Sequence, residues 1–280
     1  MVKEEDERAV KEDQHMLIDE DVISLIADKA DIKSSDVVLE IGAGSGNVTA
    51  ELAKHRERLF VVEKDSDLVS DLAERFGDEK NVSVLAGDVL RIELPKFNKI
   101  VSNMPYSILQ QFFMRLIKEG RQNFEQAVMV VPYGFAKKMT ALPDSEGFGM
   151  ISALFMAFYD VEEFAQIEKT SFDPQPRVTS VCVSIRPKEL SPSQPRKALR
   201  LLQELFIHDE RKAGNSLMRT LWDKGTDLLG RKVTKKEAEG LAGEILAKLP
   251  ASLKNKKCMA LTNDEFRQLT AALVSWDQKH

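Results

Sequence analysis

Between residues 37 and 131, short runs rich in β-branched residues alternate with stretches of helical periodicity. The runs are 37–41 "VVLEI", 59–63 "LFVVE", 82–86 "VSVLA", 98–103 "NKIVSN" and 126–131 "QAVMVV". Helical patterns fall between them at about 47–55, 66–76 and 107–119. Near-continuous apolar strands separated by helices predict a parallel sheet covered on both faces. Two later runs, about 161–167 and 179–185, are expected to pair antiparallel at one edge. Residues 187–195, "PKELSPSQP", read as a linker. After it come helical patterns at 196–207, 211–223, 234–248 and 263–274, with no β-rich run. The chain is therefore expected to be α/β, followed by a small helical domain at 196–280. Residues 1–12 form a charge-dense arm, expected to be mobile.

The net charge is −5, but it is unevenly spread. Residues 1–186 hold 22 Lys and Arg against 33 Asp and Glu; residues 187–280 hold 18 against 12. The helical tail is thus basic and the sheet domain acidic, an asymmetry that can mark a nucleic-acid footprint or only a set of solvated helices. Cys182 and Cys258 stand far apart, and the four histidines show no metal-ligand spacing. The longest apolar runs, such as 151–159 "ISALFMAFY", are too short to span a bilayer. A cytoplasmic protein without a metal site is expected.

Chemistry enters with "LEIGAGSGNVT", which follows the first strand. Gly42, Gly44 and Gly46 let the backbone turn tightly and approach a ligand. Glu63 ends the next strand, where a carboxylate can accept from both hydroxyls of a ribose. Asp88 ends the third, in reach of an adenine amino group, with Lys64 and Val89 beside these two acids. A ligand-free turn is the bland alternative, but three signals at the carboxyl ends of one sheet favour a nucleoside cofactor. A dinucleotide site wants G-x-G-x-x-G; here the third glycine comes one residue early and Asn47 stands in its place. S-adenosyl-L-methionine has no phosphate to cradle, and Glu40 with the loop backbone can hold its methionine part.

The fourth strand runs into Asn103-Met104-Pro105-Tyr106. The Asn103 side-chain oxygen and the Met104 carbonyl are acceptors, Pro105 brings no competing N–H, and Tyr106 supplies an aromatic face. An exocyclic amine donating to both acceptors would be biased toward a tetrahedral, nucleophilic nitrogen aimed at a sulfonium methyl. Such catalysis rests on orientation and electrostatics. It needs no strong general base, and the sequence offers no histidine near this stretch. A strand-end turn around a core tyrosine is the competing explanation.

These motifs together resemble the ribosomal RNA adenine N6,N6-dimethyltransferases and the related erythromycin-resistance methylases. "DQHMLID" (13–19) is similar to the family's Q-x-F/H-L opening segment over the cofactor, which implies roles there for Gln14, His15 and Leu17. "SFDPQPRVTSV" (171–181) resembles F-x-P-x-P-x-V-x-S-x-V and implies that Phe172 closes on the face of the target base opposite Tyr106. "HDERKAGNSL" (208–217) and "LTNDEFRQL" (261–269) resemble the family's tail motifs. The resemblance covers about 13–274 and is nearest archaeal members. It implies a Rossmann-like methyltransferase sheet over 13–186, S-adenosyl-L-methionine as cofactor, and an RNA-binding tail. It also implies dimethylation of two adjacent adenosines in small-subunit rRNA on the immature small ribosomal subunit; a monomer is expected. The sequence departs from the family at Ala43 and Ser45, at Met104, and at "PYGFA" (132–136), where a Lys-Glu pair is usual. Those departures leave open methylation of another RNA, or an assembly factor with weakened catalysis.

Overall fold

In the computed structural model, which describes residues 15–55, 58–120, 124–142, 145–188 and 196–279, the chain opens on a two-residue strand, β1 (Met16–Leu17). Asp19 then caps helix α1 (Glu20–Ala30), accepting from the N–H groups of Asp21 and Val22, with Glu20 and Asp21 in the positive first turn. The repeat follows: β2 (Val37–Ile41), α2 (Asn47–Leu52), β3 (Arg58–Glu63), α3 (Ser66–Phe76), β4 (Val82–Ala86), β5 (Lys99–Ser102), α4 (Leu109–Lys118) and β6 (Gln126–Pro132). Next come α5 (Tyr133–Met139), α6 (Met150–Phe158), β7 (Tyr159–Ile167), β8 (Phe172–Asp173) and β9 (Ser180–Pro187). The arm and most of the linker inferred from sequence lie outside the described residues.

Seven strands form one sheet in the order β4-β3-β2-β5-β6-β9-β7. The pairs from β4 to β6 are parallel. β9 runs antiparallel to β6, which places it inside the sheet and leaves β7 at the edge. Every residue of β5 is buried and six of the seven in β6 are, as strands covered on both faces must be. β1 and β8 make a separate antiparallel pair, Leu17 opposite Phe172.

At the end of the sheet away from the strands' carboxyl termini, Lys99 is buried against Asp36, Nζ to Oδ2 3.1 Å. Its ammonium also donates to the carbonyls of Ala30 and Asp31, closing the end of α1. Asn98 donates to the other Asp36 oxygen over 2.8 Å. Every group in this buried network therefore has a partner, which burial of an ion pair requires.

Contacts group the chain into two compact units, Met1–Ala136 with Val161–Pro187, and Lys137–Asp160 with Lys188–His280. The sequence boundary at 187 had kept residues 137–160 with the sheet. They group instead with the tail helices α7 (Arg196–Ile207), α8 (Ala213–Asp223), α9 (Gly225–Leu229), α10 (Lys235–Leu246) and α11 (Asn263–Asp277). The reason is packing: apolar α6 lies against α7 and α11. Phe158 meets Phe206 edge-on, Phe206 stacks on Phe266 at 5.7 Å, and Gln203 donates to the Ala157 carbonyl. Capping boxes at Thr234/Glu237 and Thr262/Glu265 start α10 and α11.

Candidate active site

The carboxyl ends of β2, β3 and β5 open into one pocket, which β1 also lines. The glycine loop after β2 shapes its floor. Gly44 takes φ +55°, and a Cβ there would lie 2.2 Å from the Met16 sulfur. Gly42 takes φ +67°, and its Cβ would come within 3.0 Å of Pro105 Cδ. Only glycine permits both the left-handed turn and these approaches, so the loop sits between the β1 segment and Asn-Met-Pro-Tyr.

Two carboxylates line the pocket. Glu63, 6% exposed, accepts from Gly44 N through Oε2 (3.0 Å) and from Lys64 N and Asp65 N through Oε1 (2.7 and 3.0 Å). A carboxylate offers about four acceptor sites, so three are taken by backbone. The turn into α3 points its N–H groups back at Glu63, so a ribose would share this carboxylate with the backbone. Glu40, 1% exposed, accepts from Thr49 Oγ1 over 2.7 Å. Burial, with the charge of Glu63 adding to it, pushes the Glu40 carboxyl up to about 8 despite the Thr49 bonds. At neutral pH it holds its proton, ready to ionise when a cation arrives.

Asn103 and Tyr106 are both anchored. Asn103 Nδ2 donates to the His15 carbonyl over 2.8 Å, which leaves Oδ1 as the acceptor end of the amide. Tyr106 Oη lies 2.8 Å from Ser180 Oγ on β9. Ser102 Oγ donates to the Ile41 carbonyl and ties the ends of β2 and β5 together. The segment carrying His15 is itself strapped down. His15 Nδ1 is 2.9 Å from the Pro174 carbonyl, Asn47 donates to the Leu17 carbonyl, and Ile18 N donates to Ser171 O. The sequence showed no histidine near Asn-Met-Pro-Tyr; the fold corrects this, bringing the His15 ring to 6.3 Å from that of Tyr106. Nothing in the local sequence marks the pairing, because it depends on how β1 crosses the strand ends.

Of the residues singled out from sequence, the pocket gathers His15, Leu17, Glu40, Gly42, Gly44, Glu63, Asn103, Met104, Pro105 and Tyr106. It also includes Met16, Asn47 and Leu68, which sequence reasoning missed. Gln14 lies outside the described residues. Lys64, Asp88 and Val89 are not in the lining. Asp88 accepts from Leu90 N at 2.9 Å and stands 3.9 and 3.7 Å from Lys64 and Arg91. Val89 is buried, with its carbonyl bonded to Arg115. Phe172 is also corrected: at 2% exposed it is a core residue among Leu17, Ile167 and Cys182. The β1–β8 pairing turns its ring inward, so it offers no open face to a base.

The model of the ribosomal RNA adenine dimethylase family matches residues 8–241. The chain belongs to that family. A probable ribosomal RNA small subunit methyltransferase A of Methanococcoides burtonii is 34% identical over 257 residues, 91% of this chain and 92% of the relative. One from Pyrococcus abyssi is 35% identical over 260 residues, 91% and 88% of the two chains. Among solved structures, a dimethyladenosine transferase from Plasmodium falciparum superposes with a TM-score of 0.63 at 26% identity, covering 91% of this chain and 96% of that one. The α/β fold is accordingly the Rossmann-like methyltransferase fold, and the methyl donor of the family is S-adenosyl-L-methionine. The residues present fit that cofactor. The glycine turn gives close backbone approach without a phosphate cradle, Glu63 retains an acceptor site for a ribose hydroxyl, and Glu40 can take negative charge beside an ammonium.

Proposed function

We propose that this chain methylates the N6 amine of two adjacent adenosines in small-subunit rRNA, twice each, while the subunit is immature, and that it works as a cytoplasmic monomer. The observation that carries the reading is Asn103, held by His15 and lying on the same pocket as the Gly42–Gly44 loop and Glu63. The bound cofactor supplies an electrophilic methyl group. Asn103 Oδ1 and the Met104 carbonyl accept the two N6 hydrogens and orient the nitrogen lone pair. Pro105 holds the turn without offering an N–H. Tyr106, fixed through Ser180, supports the flipped base on one face. The β1 segment lining the pocket keeps water from the reacting atoms, which strengthens each polar contact inside. The basic tail supplies phosphate contacts.

The test is methyl transfer from labelled S-adenosyl-L-methionine to small-subunit particles lacking these methyls. Nuclease digestion and mass spectrometry should find N6,N6-dimethyladenosine at two neighbouring positions. Label in another RNA only, or monomethyladenosine as the end product, would refute it. Lys-Glu is absent at "PYGFA", which makes the choice of RNA the point most exposed to this test.

A further inference from the structure

Methyl transfer leaves the target nitrogen with one proton too many, and the groups so far assigned to it cannot take that proton away. Asn103 Oδ1 and the Met104 carbonyl are acceptors of hydrogen bonds, but an amide oxygen is far too weak a base to carry a proton off at neutral pH. One lining residue differs. The His15 ring sits in the same pocket, 6.3 Å from the Tyr106 ring and tilted 42° to it. Its Nδ1 is 2.9 Å from the Pro174 carbonyl. A carbonyl can only accept, so Nδ1 carries the hydrogen, and in the neutral ring Nε2 is then the lone-pair nitrogen. Among the described residues Nε2 has no hydrogen-bond partner. The backbone of the same residue fixes Asn103. One short strap thus sets both the acceptor amide and the tautomer of a base.

We propose that His15 is a catalytic residue, taking on Nε2 the proton that the N6 nitrogen releases in each methyl transfer. The proposal rests on the reading of the site given above. As the N6 lone pair forms the new N–C bond, the S–C bond breaks and its electron pair stays on sulfur. The nitrogen becomes cationic. One N–H then lets go of its carbonyl acceptor and breaks toward Nε2, the electron pair returns to N6, and the imidazolium later gives the proton to water. A second round needs the same service, because the monomethylated amine still carries one hydrogen. The Pro174 bond also orients the ring, as a carboxylate does in other acid–base pairs.

The other titratable groups around His15 are Tyr106, whose hydroxyl is engaged by Ser180, Asp173 opposite Met16, and Glu40 and Glu63 on the pocket wall. None of them repeats the imidazole's arrangement.

Two experiments on the full chain test this. In the free protein, long-range ¹H–¹⁵N correlation of the His15 ring should show the Nδ1–H tautomer; an Nε2–H tautomer would overturn the proposal whether or not the chain methylates rRNA. In single turnover at saturating cofactor, His15→Asn, which can still donate to Pro174, should lower the transfer rate about 10²-fold. It should also abolish the fall in rate on acidification, a loss that persists at saturating cofactor, while RNA affinity holds. The wild-type profile is repeated in Glu40→Gln, and the acid limb should persist there. His15→Phe should be as slow as His15→Asn and melt normally. An unchanged rate and profile in His15→Asn would overturn the proposal. So would a defect confined to cofactor affinity, which would assign His15 to cofactor binding alone.

Discussion

The side-chain amide of Asn103 donates to the main-chain carbonyl of His15 across 2.8 Å, joining two residues 88 positions apart. The bond connects the end of β5 to the segment that lines the pocket. Asn103 therefore has two duties, one toward the target amine and one toward the strap. Asn103→Ala should speed amide hydrogen exchange at Leu17 and Ile18 at least several-fold, since these residues would lose one of their anchors. Exchange at α11 should be unaffected. Unchanged protection at 17–18 would show that β8, Ser171 and Asn47 hold the strap without Asn103.

Glu40 should make stability depend on pH in an unusual direction. Its folded value, about 8, lies above its ordinary value of 4.5. Between these two the folded chain keeps a proton that the unfolded chain gives up, so wild-type stability falls as pH rises through that window. Glu40→Gln removes this slope. Urea melts from pH 5 to 8 should show the variant gaining on wild type steadily with pH. Parallel curves would contradict the buried, protonated state.

Phe172 and Tyr106 should fail in different ways. Phe172 is a core side chain, and truncating a buried phenylalanine costs about 3–5 kcal/mol. Phe172→Ala should therefore lower the unfolding midpoint strongly. Tyr106 is only half-buried at the pocket. Tyr106→Ala should weaken capture of the flipped adenosine by about 1–3 kcal/mol of stacking, with a far smaller loss of stability. The reverse pattern in chemical denaturation and binding would contradict both placements.

The Asp36–Lys99 network predicts acid sensitivity. Hydrogen bonds from Lys33 N, Asn98 and Lys99 outweigh burial and hold the Asp36 carboxyl below its ordinary 3.8. A depressed folded value contributes stability above the unfolded value and loses it as pH falls through the folded one. Asp36→Ala leaves a buried ammonium without its anion and should cost about 3–5 kcal/mol at pH 7. Equal stability of the variant and wild type at neutral pH would refute the network's role.

Much of the fold could be read from the chain because β-branched runs and helical periods were strong and local. The five central runs and the tail helices beginning at 196 and 263 lie close to where the structure has them. The helix at 150–158 shows why a boundary is harder. "ISALFMAFY" is apolar all round, so nothing in its pattern says which unit buries it; only its packing on α7 and α11 decides. The pocket was legible where a motif carries its own geometry, as with Gly42, Gly44 and Glu63. The burial of Phe172 and the nearness of His15 to Tyr106 were not, because they follow from the pairing of β1 with β8, a long-range register that sequence spacing does not encode. For the same reason a chain ended near Arg186 would leave α6 without α7 and α11, and would test stability before it tested RNA binding.

The central claim is that Asn103 accepts from the target amine as its nitrogen becomes tetrahedral. The most direct test is the single-turnover rate of N6,N6-dimethyladenosine formation by Asn103→Ala, at saturating S-adenosyl-L-methionine, on unmethylated small-subunit particles. Loss of one preorganised group should slow transfer about 10²–10³-fold, with cofactor binding, RNA binding and the melting curve close to wild type. A variant that melts and binds normally and still dimethylates at near wild-type rate would contradict the account.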